Sequence, residues 1–238
     1  MQPRPEGPPT GTVTFFFSDV EGSTKLVQRF GADWPALLEQ HRRAMRAAFE
    51  AHGGWEHGTE GDSFFVVFTS AVEGVAAAAQ AQRALAAIEW PPDGRIRVRM
   101  GLHTGEGRLS GDDYVGIDVH RAARIAAAGH GGQVLLSSST AALADTSLPP
   151  GTRLVDLGSH RLKDLPEPEH LRHLTIDGLQ SDFPPLRSVG GRASNLPVAL
   201  SSLVGREPDV DAVRSLLQSA RLVTVTGPGG SGKTRIAQ

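Results

Sequence analysis

Thr12-Val13-Thr14-Phe15-Phe16-Phe17-Ser18-Asp19-Val20-Glu21-Gly22-Ser23-Thr24 is the stretch that decides how the chain is read. Its first half is β-branched and aromatic, the composition of a buried strand. Asp19 stands where that strand ends. Glu21-Gly22-Ser23-Thr24 then leads into residues 25–30, which read as a helix. A carboxylate at a strand end, followed by a glycine-bearing turn into a helix, suits a metal and a phosphate. The carboxylate attracts the cation, while free backbone N–H groups and the helix dipole attract the anion. A strand followed by Asp and a capping Ser or Thr is also ordinary architecture, so the rest of the chain has to decide.

With 238 residues the chain can build one sizeable core and part of a second. Its formal charge of -2 provides no basic footprint for nucleic acid or an anionic membrane. The absence of cysteine excludes disulfides, thiol catalysis and thiolate metal sites, and is compatible with a cytoplasmic location. Residues 1–11, which open Met1-Gln2-Pro3-Arg4-Pro5, lack the apolar core of a signal peptide and read as a disordered tail. No apolar run approaches the ~20 residues of a membrane span.

Residues 34–52 predict an amphipathic helix, with Leu37, Leu38, Met45, Ala48 and Phe49 near helical spacing and arginines opposite. Gly53-Gly54 ends it. Residues 55–58 read as a short strand, Thr59-Glu60-Gly61-Asp62 as a tight turn and residues 63–68 as the return strand. This hairpin puts a second carboxylate, Asp62, at its tip. The alanine-rich residues 70–88 predict a helix capped by Ser70 or Thr69. Residues 95–103 alternate as a half-exposed strand, with 104–110 expected to return beside it and 111–116 to form a loop. A helix over 117–127 carries Asp118, His120, Arg121 and Arg124. A strand at 133–137, a short helix at 140–144 and strands near 153–157 and 170–176 complete the unit. His41 and His52 fall on a polar helix face, His103 alternates with its strand, and no carboxylate–histidine cluster has zinc-ligand spacing. Without strict βαβ repetition, this order predicts an α+β fold whose mixed or antiparallel sheet carries its helices on one face.

Residues 179–200, rich in Pro, Ser, Gly and Asn, read as a linker. Residues 201–238 then give a helix from Gly205-Arg206-Glu207-Pro208 to residue 217, a buried strand over 221–226, and Gly227-Pro228-Gly229-Gly230-Ser231-Gly232-Lys233-Thr234. This satisfies GxxxxGK[ST] with a strand before it and a helix start after it. Gly227, Gly232 and their neighbours would cradle phosphates, Lys233 would reach the β- and γ-phosphates, and Thr234 would hold Mg²⁺. The further sheet, second carboxylate strand and sensor of an NTPase do not follow, so the segment reads as a truncated P-loop ATPase start, inactive by itself.

Three segments, in order, resemble the class III nucleotidyl cyclase catalytic domain over residues 12–178. Phe17-Ser18-Asp19-Val20-Glu21-Gly22-Ser23-Thr24 resembles its first metal-binding segment and Thr59-Glu60-Gly61-Asp62-Ser63-Phe64 its second. Tyr114-Val115-Gly116-Ile117-Asp118-Val119-His120-Arg121-Ala122-Ala123-Arg124-Ile125 resembles the segment that meets ribose and triphosphate. The 205–238 region is similar to the start of the ATPase module in large bacterial regulators. The resemblance implies a ferredoxin-like fold, with Asp19, Val20 and Asp62 as metal positions for two Mg²⁺ or Mn²⁺. It makes Gly22, Ser23 and Thr24 substrate-binding and assigns Arg124 to the charge growing on the phosphates. Two positions depart from the family. Its adenine-reading lysine falls on Gly58, with His57 and Glu56 as neighbours one and two positions away. Its ribose-orienting asparagine falls on His120, whose neutral imidazole can donate one hydrogen bond. The base-reading carboxylate is kept as Asp113, beside Asp112.

These residues point to an adenylate cyclase that turns ATP into 3′,5′-cyclic AMP and pyrophosphate. The resemblance places its sites across a head-to-tail homodimer, and the two departures imply low activity and loose base selectivity. The alternative is a non-catalytic cyclase-like module that binds nucleotide or dimerises and regulates an attached ATPase.

Overall fold

The computed structural model describes residues 7–188, 206–220, 222–228, 232, 233 and 236. The chain divides into two compact units, residues 1–192 and 193–238.

The first unit is built on β1 (Gly11–Val20). After it come α1 (Ser23–Phe30), α2 (Trp34–Ala51), β2 (Trp55–Glu60), β3 (Ser63–Phe68), α3 (Ala71–Ala87) and β4 (Val98–Ser110). β1 pairs antiparallel with both β3 and β4, and β2 pairs with β3. This is the split β-α-β-β-α-β arrangement of ferredoxin-like folds. β5 (Asp113–Val115) folds back on β4. α4 (Ile117–Ala128), β6 (Val134–Ser137), α5 (Ser138–Ala144), β7 (Thr152–His160) and β8 (Glu169–Ile176) follow. The main sheet runs β2-β3-β1-β4-β6-β8-β7, with β4 and β6 its one parallel pair.

The apolar continuity of β1 has a cause: the strand is covered on both faces. Phe16 meets Phe49 of α2 edge-on at 5.1 Å between ring centroids, in the core shared with α3. Phe15 points the other way, where its ring meets Tyr114 at 5.6 Å, in a cluster with Val13, Val67 and Ala122 of α4. The expectation of helices on one face is therefore corrected. α2, α3 and α5 cover one face, and α4 covers the other.

α4 lies unusually close to β4. A Cβ at Gly101 would fall 2.2 Å from the backbone N of Ala126, and one at Gly105 would fall 2.4 Å from Oδ2 of Asp118. Only glycine allows that approach. Asp118 then joins helix to strand. It accepts hydrogen bonds from Glu106 N–H at 2.9 Å and Arg121 at 2.7 Å, and lies 3.2 Å from Nε2 of His103. Burial alone would raise its carboxyl, and these bonds hold it below the usual range.

Three local expectations change. Residues 104–110 do not return beside 98–103 but continue β4, because β1 supplies a partner as far as Gly107 and β5 takes over at Arg108–Ser110. The return is β5, after Gly111 at φ 64°. Thr59 and Glu60 extend β2, leaving Gly61 (φ 59°) and Asp62 as a two-residue turn. Within the tail, residues 1–6 lie outside the described residues, while the carbonyl of Pro9 accepts a 2.6 Å hydrogen bond from the Tyr114 hydroxyl.

His41 is not on a polar face. It is 0% exposed, neither ring nitrogen has a partner, and its ring lies against Phe64. Burial lowers its pKa from 6.5 to about 4 and does the same to buried His173. The neutral form is the one that folds, so the unfolded chain binds more protons between these values. Stability is full above pH 6.5 and falls as the pH drops toward 4, by about 2 kcal/mol per histidine at pH 5. Denaturant unfolding followed by fluorescence of Trp34, Trp55 and Trp90 measures this, and His41→Leu is expected to flatten the slope.

The stretch expected to open the linker packs on this unit instead. Leu186 is 5% exposed and joins Ile125, Leu135, Leu162 and Leu171. In the second unit, α6 (Glu207–Ser219) matches the expected helix. The buried strand over 221–226 is not found: residues 222–228 are not strand, and Leu222 is 83% exposed. The described residues of the second unit contain no strand. Lys233 Nζ donates to the carbonyls of Gly227 at 2.8 Å and Pro228 at 2.7 Å. Thr234 lies outside the described residues. Among these residues no helix is long and apolar enough to cross a membrane.

Candidate active site

Two carboxylates from distant parts of the chain meet at one end of β1. The turn between β2 and β3 swings Asp62 over the strand end, where its Oδ2 accepts the N–H of Val20 at 3.1 Å. The Ser63 hydroxyl donates to Oδ1 of Asp19 at 3.1 Å, tying the same hairpin to the first carboxylate. Arg42 of α2 holds the turn from outside, through a 2.6 Å bond to the Gly61 carbonyl. Burial pushes the Asp62 carboxyl up and the charge of Asp19 pushes it further, while bonds from Val20 and Ser23 pull it back. Gly22, at φ 70°, turns the chain from β1 into α1, so Ser23 begins the helix beside Asp62.

Two carboxylates that repel one another in a half-buried setting, beside the Val20 backbone, fit a divalent cation. Among the described residues no three His, Cys, Asp or Glu side chains form a metal-binding group; a cation held here would have this pair and the chain around it as donors. The countercharge in the structure is Arg99, which faces Asp19 across the β1–β4 ladder. Its Nε donates to Oδ2 at 3.0 Å, and its Nη2 makes a second contact with the same oxygen. Arg99 also donates to the carbonyl of Ala127, at the end of α4.

Next to this site is a cleft of about 450 Å³ lined by Phe17, His57, Gly58, Glu60, Phe65 and Asp113. The β2–β3 register shifts between Glu56 and Gly58, so His57 is the extra residue of a β-bulge. Gly58 pairs with Phe65, and the His57 ring meets that same Phe65 at 4.9 Å and Tyr114 at 5.2 Å. Both residues therefore face the cleft. His57 Nε2 lies 3.5 Å from Oδ1 of Asp113. Glu56 does not join them, because Arg46 of α2 engages both its oxygens, at 2.9 and 2.8 Å. Asp112 is exposed and does not line the cleft.

His120 and Arg124 sit one helical turn apart on α4. His120 is exposed, and Arg124 donates to Asp164 at 2.6 Å. Among the described residues Asp164 is one of two non-glycine residues with positive φ, at 61°. No hydrogen bond or ion pair joins His120 or Arg124 to the carboxylate pair, among the described residues. The structure thus gathers Asp19, Val20, Asp62, Gly22 and Ser23 into one group, His57, Gly58 and Asp113 into an adjoining one, and His120 with Arg124 into a third. Thr24 lies in the first turn of α1 and is exposed.

A split ferredoxin-like sheet with paired strand-end carboxylates, a glycine turn beside them and a basic helix across its other face defines a nucleotidyl cyclase domain. Residues 6–165 match the adenylate and guanylate cyclase catalytic domain, and the chain belongs to that family. An uncharacterised protein of Mycobacterium tuberculosis is 40% identical over 206 residues, 85% of this chain and 70% of that protein. The adenylate cyclase of Neurospora crassa is 31% identical over 156 residues, 55% of this chain and 7% of that much longer protein. Among solved structures, an adenylate cyclase from Trypanosoma brucei in its monomeric state superposes with a TM-score of 0.65 at 26% identity, covering 77% of this chain and 97% of that one.

Proposed function

We propose that residues 12–178 form an adenylate cyclase, converting ATP into 3′,5′-cyclic AMP and pyrophosphate at sites shared by two head-to-tail copies. The observation that carries the reading is the convergence of Asp19 and Asp62 beside the Val20–Gly22 turn. The ribose 3′-hydroxyl gives its proton to water, its oxygen bonds to the α-phosphorus, and the bond to the bridging oxygen of pyrophosphate breaks, with the electron pair leaving on pyrophosphate. Mg²⁺ or Mn²⁺ bound at Asp19, Asp62 and Val20 would supply the Lewis acidity for that exchange. Gly22, Ser23 and Thr24 would face the phosphates, and Arg124 from the partner copy would meet the growing phosphate charge. His120 would orient the ribose with one donated hydrogen bond. A second reading, a nucleotide-binding module without turnover, draws on His120, on the lack of a lysine at Gly58 and on the engagement of Arg124 by Asp164. Residues 205–238 are proposed to open a P-loop ATPase region, for which Gly227, Gly232, Lys233 and Thr234 are the phosphate-binding positions.

Incubating the purified protein with ATP or GTP and Mn²⁺, and identifying the cyclic product, decides between the two readings: cyclic AMP supports the first, and no cyclic nucleotide supports the second. The base cleft sets the expected selectivity. A neutral imidazole donates from one nitrogen and accepts at the other, so His57 beside Asp113 can serve either purine edge. Lysine only donates. A Cβ at Gly58 meets nothing within 4 Å, so a longer side chain can enter the cleft. Gly58→Lys in a His57→Ala background is expected to raise the ATP-to-GTP ratio of kcat/KM by about tenfold. An unchanged ratio in a folded variant would take the cleft out of base reading.

A further inference from the structure

Glu21 stands in the turn between Val20 and Gly22, yet its carboxylate is held by a part of the chain far along the sequence. Its backbone N–H donates to the Arg97 carbonyl at 2.9 Å. Its side chain lies over Gly131, where an added Cβ would fall 2.8 Å from the Glu21 Cβ. Its Oε1 is ion-paired with Arg187 and lies 3.9 Å from Nδ1 of His130.

Arg187 belongs to a short strap, residues 183–187, beyond the residues 6–165 that match the family. The strap is fixed at each step. The Phe183 ring stacks on His130 and meets His173 edge-on at 5.2 Å. His130 Nε2 donates to the Pro185 carbonyl at 3.1 Å, and Leu186 is buried. The Arg187 N–H donates to the Ala128 carbonyl at 2.9 Å. The guanidinium thus reaches Glu21 from a backbone that is already placed, which lowers the entropy lost in making the pair. The turn's other ties are its own backbone bonds, Val20 N–H to Asp62 and Glu21 N–H to the Arg97 carbonyl, so Arg187 is the side chain that reaches the Glu21 carboxylate from outside it. α1 buries no residue, and Gly22 gives the chain a backbone position with wide conformational freedom.

We infer that Arg187 is a positioning residue of the nucleotide site: through Glu21 it holds the Val20–Gly22 turn in the shape that presents Asp19, Val20 and Ser23 together. The strap is then part of the catalytic unit. The role in turnover rests on the cyclase reading, while the tie between strap and turn can be tested without it.

Amide hydrogen exchange of the nucleotide-free chain reads the tie directly. Arg187→Ala and Glu21→Gln are each expected to speed exchange at residues 21–25 by about three- to fivefold, the scale of a half-exposed ion pair, with β6 and β8 unchanged. Arg187→Lys is expected to restore most of the protection. Unchanged exchange in Glu21→Gln, which leaves the strap untouched, would overturn the tie even if Arg187→Ala failed to fold. Where the wild type makes cyclic nucleotide, Arg187→Ala is also expected to need several-fold more Mn²⁺ for half-maximal turnover, with a smaller change in the KM for ATP. Faster exchange with an unaltered Mn²⁺ requirement would leave the tie in place and overturn its role in positioning the site. A wild type without turnover would count against the cyclase reading and leave the exchange result standing.

Discussion

Asp19→Asn and Asp62→Asn proteins are each expected to lose Mn²⁺-dependent cyclic AMP formation by about a hundredfold or more, the scale on which removing one preorganised charge at a reacting phosphate is felt. Asparagine is the sharper test than alanine. Its carbonyl can still accept from Ser63 or Arg99 at position 19, and from the Val20 N–H at position 62. The charge goes while the hairpin stays tied to β1. Thermal midpoints should move by little in either variant. At position 62 the substitution also removes a carboxyl that burial and Asp19 disfavour as an anion, so its stability is expected to hold or rise. Turnover that survives in either folded variant would end the paired-carboxylate reading.

Mixing Asp19→Ala with Arg124→Ala is expected to return about a quarter of wild-type activity from two proteins that are inactive alone. The two residues have no contact within one chain, and Arg124 is instead occupied by Asp164. If a site takes its carboxylates from one copy and its arginine from the other, a mixed dimer has one site with both lesions and one with neither. Random pairing makes about half the dimers mixed, each with one of two sites intact, which gives about a quarter under closed two-fold symmetry. The recovered activity should fall on dilution. No recovery, with subunit exchange shown by a tag pull-down, would place all three residues in one chain or remove Arg124 from the chemistry.

What the sequence could and could not disclose follows from the kind of interaction involved. Asp19 and Asp62 were legible because each sits in a local signature, a strand end and a hairpin tip, and their meeting needs only an antiparallel pairing of β1 with β3. His57 could be named only as a neighbour of Gly58, on a par with Glu56, since a bulge is a change of register that leaves no mark in composition and counting along the chain lands on Gly58. Arg99 alternates with Arg95 and Arg97, and only the β1–β4 register singles it out as the partner of Asp19. The two-sided cover of β1 was written in its unbroken apolar run, but which helix crosses to the far face depends on Gly101 and Gly105, whose meaning is steric and non-local. The strap misled for a related reason. Proline-rich sequence has the extended backbone of a linker whether or not a core takes in its one leucine, and here a core does.

The close seat of α4 on β4 has a mechanical consequence. With bare backbone under Ala126 and Asp118, helix and strand cannot slide past one another without opening a gap or a clash, so they are packed as a single piece. That piece ends at Arg99, which grips Asp19 with one side of its guanidinium and the last turn of α4 with the other. In a head-to-tail pair, the helix offering Arg124 to one nucleotide would be bolted to the carboxylate serving the other. A push on α4 from the first pocket would arrive at the second as a displacement of Asp19, so the two halves of such a pair would be geared together.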